Sequence, residues 1–155
     1  MDLTFKVEET CFNYRVGAMC KQGNKILIQQ GDGEEFWYVP GGRGKMLENS
    51  EDALKRELAE ELGVPMKGKR LIWSGENFFT LSERKFQEIS CYYEVELHEL
   101  PANGVDQDIL EEEDRTDLFR WVPVEELEAY NLQPAFIKEK VNDIAVHIEH
   151  IVLKD

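Results

Sequence analysis

Apolar-rich runs from Asn13 to Cys20 and from Lys25 to Gln30 flank the turn residues Gln22-Gly23-Asn24. That pattern predicts two strands joined by a turn. Phe36–Val39 reads as a third strand, stopped by Pro40-Gly41-Gly42. The period then changes. Leu54, Leu58 and Leu62 recur at helical spacing, which predicts a helix over about Ser50–Leu62. Ser50 is the expected N-cap, Glu51 and Asp52 suit the positive end of the helix dipole, and Gly63 and Pro65 end the helix. A second β region covers Arg70–Phe79 and Lys85–Leu97, joined through Ser82-Glu83-Arg84. In its later strand Gln87, Ile89, Cys91, Tyr93, Val95 and Leu97 share one face, and Phe86, Glu88, Ser90, Tyr92 and Glu94 the other. Only the first of these faces is mainly apolar. Pro101–Thr116 is acidic and rich in turn residues, Asp117–Val122 returns as a strand, and Val124–Leu127 opens a short helix. Phe136, Ile137, Val141, Ile144, Ala145, Ile148 and Ile151 predict a final amphipathic helix over about Pro134–His150. Mixed strands with two substantial helices point to an α/β sandwich.

Composition narrows the function. A chain of 155 residues, 42% hydrophobic, suits one domain over its whole length, and no repeat or Pro/Gly/Ser-rich linker divides it. Thirty-two acidic against 18 basic residues leave a net charge of -14, with no Lys/Arg block to track a polynucleotide. A long nucleic-acid partner is therefore disfavoured. A small anionic substrate is not, because a cation and a few local arginines reverse the field within one cleft. The three cysteines, Cys11, Cys20 and Cys91, form neither a disulfide framework nor a zinc motif and read as reduced thiols. The opening MDLTFKVEET has no apolar signal-peptide region, and no stretch is long enough to cross a bilayer. A cytoplasmic protein without membrane contact is the expectation.

The chemistry gathers on the predicted helix. Glu57, Glu60 and Glu61 lie beside the leucine stripe, whereas Lys55, Arg56 and Ala59 sit opposite it. Carboxylates bordering a core are costly unless protonated or bound to a cation. All-oxygen ligands select magnesium or manganese, which also bridge to phosphate oxygens, so a phosphoryl or pyrophosphate substrate is the natural companion. Gly41 and Gly42 allow close backbone approach and let a carbonyl face the metal, and Arg56 can orient a carboxylate. Glu60-Glu61 alone has a competing reading as a solvated acidic face. Arg43 and Lys45 in the loop before the helix are the better candidates for substrate phosphates, ahead of Arg15, Arg84 and Lys85. Phe12, Tyr14, Phe78, Phe79 and Tyr92 are candidates for stacking a base, against a core role usual for strand aromatics. His98, His147 and His150 read as structural, the last two beside the C-terminal end of the final helix.

Gly42, five residues, Glu48, seven residues, then Arg56-Glu57-Leu58-Ala59-Glu60-Glu61-Leu62-Gly63-Val64 resembles the signature of the Nudix (MutT-like) hydrolases, over residues 42–64. Trp37–Gly42 and Trp121-Val122-Pro123 look similar to the family's flanking elements as well. The resemblance implies an α/β/α sandwich with a mixed sheet between helices. It implies metal-dependent hydrolysis of a nucleoside diphosphate linked to another moiety, such as a nucleoside triphosphate, ADP-ribose or a sugar nucleotide. Glu57, Glu60, Glu61 and the Gly42 carbonyl carry over as ligands of Mg2+ or Mn2+, Glu57 also as the activator of water, and Arg56 with Glu48 as the pair holding loop to helix. Many relatives have glycine where this chain has Leu47, and many use an acid outside the signature. Glu111, Glu112 and Glu113, in the loop before the last strand, and Glu88 are candidates for that acid, and Glu88 for the substrate site. Relatives are often homodimers. A Nudix-fold nucleotide sensor without turnover is the alternative, disfavoured by the intact carboxylate set, and an RNA decapping enzyme is disfavoured by charge.

Overall fold

One central strand is covered on both faces, and the rest of the chain is arranged about it. A computed structural model describes residues 1–97, 107–111 and 115–155. In chain order the elements are β1 (Thr4–Val7), β2 (Thr10–Gln22), β3 (Lys25–Gln30), β4 (Gly41–Arg43), α1 (Ser50–Leu62), β5 (Met66–Leu81) and β6 (Arg84–Leu97). There follow β7 (Gln107–Glu111), β8 (Arg115–Pro123), a 3₁₀ helix (Val124–Ala129), α2 (Phe136–Lys140) and β9 (Glu149–Lys154). The sheet runs β7-β8-β3-β2-β6-β5-β9, with β1 and β4 added on β2. β2 is parallel to β6 and β9 to β5, while the other pairs are antiparallel, so the sheet is mixed.

Alternation along β2 sends Val16, Ala18 and Cys20 to one face, where they meet Leu54, Leu58 and Leu62 of α1. Met19 faces the other way, into a second core with Trp73, Leu127, Phe136 and Ile137. The α1 layer and the 3₁₀–α2 layer thus sandwich the sheet, as the α/β reading requires. At its N-terminal end α1 is capped by Asn49, whose Oδ1 accepts from the Asp52 N–H at 2.9 Å, and not by Ser50. The Ser50 hydroxyl instead lies 2.6 Å from the Tyr93 hydroxyl. Gly63 closes the helix in the left-handed conformation (φ 67°), as expected of a glycine there.

Three expectations fail. Phe36–Val39 makes only single bridges, because β2 and β3 splay after two paired residues and this segment threads between them. The Ala18 N–H donates to the Pro40 carbonyl at 2.8 Å, and the ladder proper starts only at Gly41. The predicted helix Pro134–His150 is limited to Phe136–Lys140. Asn142-Asp143, whose side chains compete for backbone groups, follow it, and Glu149–Lys154 alternates with period two beside β5. His150 therefore sits on a strand, with Nε2 2.8 Å from Glu76, and not at a helix end. Within the acidic stretch Pro101–Thr116, β7 forms a strand antiparallel to β8. His98, Glu112 and Glu113 lie outside the described residues. Among the described residues no helix is long and apolar enough to cross a membrane.

Candidate active site

Two glycines bring the helix against the sheet. β4 pairs with β2 in the register Arg15↔Arg43, Val16↔Gly42, Gly17↔Gly41. A Cβ at Gly41 would collide with the Val16 carbonyl, and one at Gly42 with the Glu57 carboxylate. Gly42 thus leaves room for the close approach of an acid, whose side chain is only 15% exposed. Glu61 on the same helix is 6% exposed and accepts from the Gly41 N–H at 3.3 Å. Glu60 differs: its side chain is 57% exposed, so the expectation of three partly buried carboxylates holds for two.

Arg56 ties the loop to the helix. Its Nε and Nη2 donate to the two oxygens of Glu48 at 2.8 and 2.9 Å, a fork-to-fork pair. Nη1 donates to Glu57 Oε1 at 2.7 Å and reaches Glu60 Oε2 at 3.5 Å, and Nη2 also donates to the Arg43 carbonyl at 3.0 Å. Glu48 Oε2 further accepts from the Lys45 N–H at 3.0 Å. These bonds, Arg56 first, hold the Glu48 carboxyl down at about 2 against an ordinary 4.5. Glu57 moves the other way, because burial raises its pKa by more than Arg56 lowers it.

A lowered carboxyl adds stability above its ordinary pKa and loses it as pH falls toward the lowered value. Glu48→Gln is accordingly expected to destabilise the protein at neutral pH and to flatten the acid-induced loss between about pH 4.5 and 2. Urea denaturation at stepped pH reads both effects; an unchanged acid limb would remove Glu48 from the account.

Leu47 settles the course of the loop. It adopts φ 65° with its side chain fully exposed, so a leucine stands in a conformation that suits glycine and gains no burial in return. The left-handed strain is roughly 1–2 kcal/mol, and the extra freedom of an unfolded glycine gives back part of it. Leu47→Gly is expected to raise stability by about 0.5–1 kcal/mol in urea denaturation; a loss would mean that the side chain has a partner in solution.

Other sequence candidates divide by position. Arg15, between Arg43 on β4 and Ser90 on β6, is near enough for its charge to lower the pKa of both Glu57 and Tyr92. Glu88 stands opposite Asn13, whose Nδ2 donates to its Oε2 at 3.1 Å. Arg43, at the end of β4, is exposed, and Lys45, in the loop that follows, is half-buried. Lys85 pairs with Thr10, five residues along β2 from Arg15, which is about 17 Å at strand rise, and Arg84 is farther still. Neither is brought to the site. Phe12 stacks on Phe5 and Phe79 on Phe86, each pair with centroids 4.9 Å apart, and Tyr92 packs edge-on against Trp73 and Phe136. Glu111 falls on β7, whose backbone approaches α1.

Sequence reasoning missed the N-terminal residues. The Leu3 N–H donates to the Gly44 carbonyl at 2.8 Å and the Met46 N–H to the Met1 carbonyl at 3.0 Å, so the chain start is zipped along the loop. It also missed Asn13, only 4% exposed, for which alternation with Arg15 on β2 was the available signal.

Glu57, Glu60, Glu61 and the Gly42 carbonyl offer oxygen atoms alone, the donor type of a hard divalent cation. Among the described residues no three acidic, His or Cys groups already stand at ligand spacing, since Arg56 engages Glu57 and reaches Glu60. The donor chemistry of the set, though not its present spacing, fits such a cation.

Comparison with known proteins identifies the family. Residues 12–141 match the family model of the NUDIX domain. An RNA pyrophosphohydrolase of Actinobacillus pleuropneumoniae serotype 5b (strain L20) is 35% identical over 57 residues, 37% of this chain and 28% of that protein. The chain thus spans under a third of the length of that curated relative. An ADP-ribose pyrophosphatase from Streptococcus suis superposes with TM-score 0.57 at 16% identity, covering 90% of this chain and 98% of the other. A MutT structure from work on Aliivibrio salmonicida and Vibrio cholerae gives TM-score 0.58 at 20% identity, covering 84% and 96%. The structural likenesses speak for the fold, and the family-model match, which takes in the glycine turn, the Arg56 network and the helix carboxylates, decides the rest: the chain belongs to the NUDIX family.

Proposed function

We propose that the protein is a metal-dependent pyrophosphohydrolase, which cleaves a nucleoside diphosphate linked to a further phosphate, ribose or sugar group. The observation that carries this reading is the Arg56-centred network, which presses the Glu57 carboxylate against Gly42 while Glu61 is buried beside it. Such burial is a standing cost in a protein that never uses the charge. Glu57, Glu60, Glu61 and the Gly42 carbonyl would hold magnesium or manganese. When bound, that ion offsets the negative charge that gathers on the phosphate oxygens as the bond to phosphorus is made and broken.

The chain's own residues supply the rest. Arg15 and the loop residues Arg43 and Lys45 bind and orient the pyrophosphate. A water oxygen attacks phosphorus, the bridging P–O bond breaks, and the bridging oxygen leaves on the departing phosphate. Glu57 Oε2, the oxygen not engaged by Arg56 Nη1, accepts the water proton. Arg56 and Glu48 hold the base in place.

The test is product analysis on nucleoside triphosphates, ADP-ribose and sugar nucleotides, with magnesium, with manganese and with chelator, beside Glu57→Gln. Metal-dependent cleavage that the variant lacks is expected. Binding without turnover across the panel would replace the enzyme by a nucleotide sensor.

A further inference from the structure

Both peptide units that flank Lys45 are fully hydrogen-bonded, although the loop around it offers no apolar anchor. The Lys45 N–H donates to Glu48 Oε2 at 3.0 Å, and the Lys45 carbonyl accepts from the Glu48 N–H at 3.2 Å. The remaining two groups are held from outside the loop. The Leu3 N–H donates to the Gly44 carbonyl at 2.8 Å and the Met46 N–H to the Met1 carbonyl at 3.0 Å, so Asp2 stands opposite Lys45 in an antiparallel bridge. The side chains of Met46 and Leu47 are exposed, so burial does not order this stretch; the backbone bonds do.

The same segment decides where the loop begins. β1 takes the edge of β2 opposite β6 as far as Asn13, and β4 takes it from Arg15. Between them the Tyr14 N–H donates to the Leu3 carbonyl at 2.9 Å and the Gly44 N–H to the Tyr14 carbonyl at 3.0 Å, which with the Leu3–Gly44 bond closes a ring of three. With that edge occupied, the chain after Arg43 leaves β2 and turns at Lys45. On its other side Lys45 is linked through Glu48 and Arg56 to Glu57. We propose that Met1–Leu3 is a positioning brace that holds Lys45 for a phosphate of the substrate, so that loosening it weakens pyrophosphate binding through Lys45 alone. The inference rests on the pyrophosphate reading above and adds residues 1–3 to it. Lysine carries one ammonium on a flexible stem, so the backbone beneath it sets where that charge can reach.

Calorimetry with imidodiphosphate and magnesium, on the full chain, tests this. Lys45→Ala is expected to weaken binding about tenfold and Leu3→Pro, which removes the donor to Gly44, about fivefold. The double variant is expected to stay within about twofold of Lys45→Ala alone, because the brace acts only through that lysine. A merely structural role would multiply the two losses. Leu3→Ala keeps the N–H and is expected to restore binding to within about twofold of the unmodified protein. Amide exchange on the unmodified protein covers the case in which proline prevents folding: by reciprocity, bound imidodiphosphate should slow exchange at the Leu3 and Met46 N–H groups. Unweakened binding in Leu3→Pro, losses that multiply, or exchange at those amides unchanged by the probe would overturn the proposal. Nucleotide turnover measured alongside keeps the two readings apart. Coupled binding without cleavage sinks the hydrolase and leaves the brace standing; cleavage with binding indifferent to Leu3→Pro sinks the brace alone.

Discussion

Glu57→Gln is expected to lower metal-dependent turnover by about 10³-fold while the protein stays folded. The carboxylate is pressed on Gly42 and its pKa is raised chiefly by burial, so the folded protein carries it at a cost when no cation is present. Glutamine matches its shape and keeps an oxygen for Arg56 Nη1, now 2.7 Å from Glu57 Oε1. The substitution therefore removes the charge and the proton acceptor with little disturbance of packing. A thermal melt within a few degrees of the unmodified protein, together with the lost turnover, is the expected pair of results. Near-normal turnover would take Glu57 out of the chemistry, and an unfolded variant would make its role structural.

Arg56→Ala is expected to damage both stability and activity. The guanidinium side chain is 21% exposed and holds Glu48 and Glu57, which are 17% and 15% exposed, with five hydrogen bonds to three acids and one carbonyl. Removing it leaves two largely buried carboxylates without their main partner, a loss of about 3 kcal/mol for pairs of this kind. The midpoint of urea unfolding should fall with an unchanged slope. Turnover should fall by about 10- to 100-fold, because the loop carrying Arg43 and Lys45 is no longer tied to the helix. Arg56→Lys separates charge from geometry: a single ammonium does not span Glu48, Glu57 and the Arg43 carbonyl together, so it should restore less than half of either loss. Full recovery by lysine would reduce the network to simple charge neutralisation.

Much of the site was legible because its spacing is local. Gly42, Glu48, Arg56, Glu57, Glu60 and Glu61 lie within one turn, loop and helix, and helical periodicity alone places the carboxylates beside Leu54, Leu58 and Leu62. Strands β2, β3 and β6 were legible for the same reason, since apolar runs, alternation and the turn residues between them are properties of neighbouring residues. The C-terminal segment misled because apolar residues of a five-residue helix and of a strand happen to fall near one helical period. Which period wins there depends on an open edge of β5, which no neighbour in the chain reveals.

The chain by itself therefore determined the carboxylate helix, the glycine turn before it and the α/β class, because each follows from short-range pattern and backbone freedom. Only the tertiary structure decided that Glu61 is buried and Glu57 half-buried while Glu60 is exposed, that Arg56 bridges three acids, and that residues Met1–Leu3 brace the loop. It alone placed Asn13 opposite Glu88, 75 positions away, through the parallel register of β2 with β6. The physical reason is that parallel pairing and side-chain burial are set by contacts between distant segments, and the energy of those contacts is written in no local stretch of sequence.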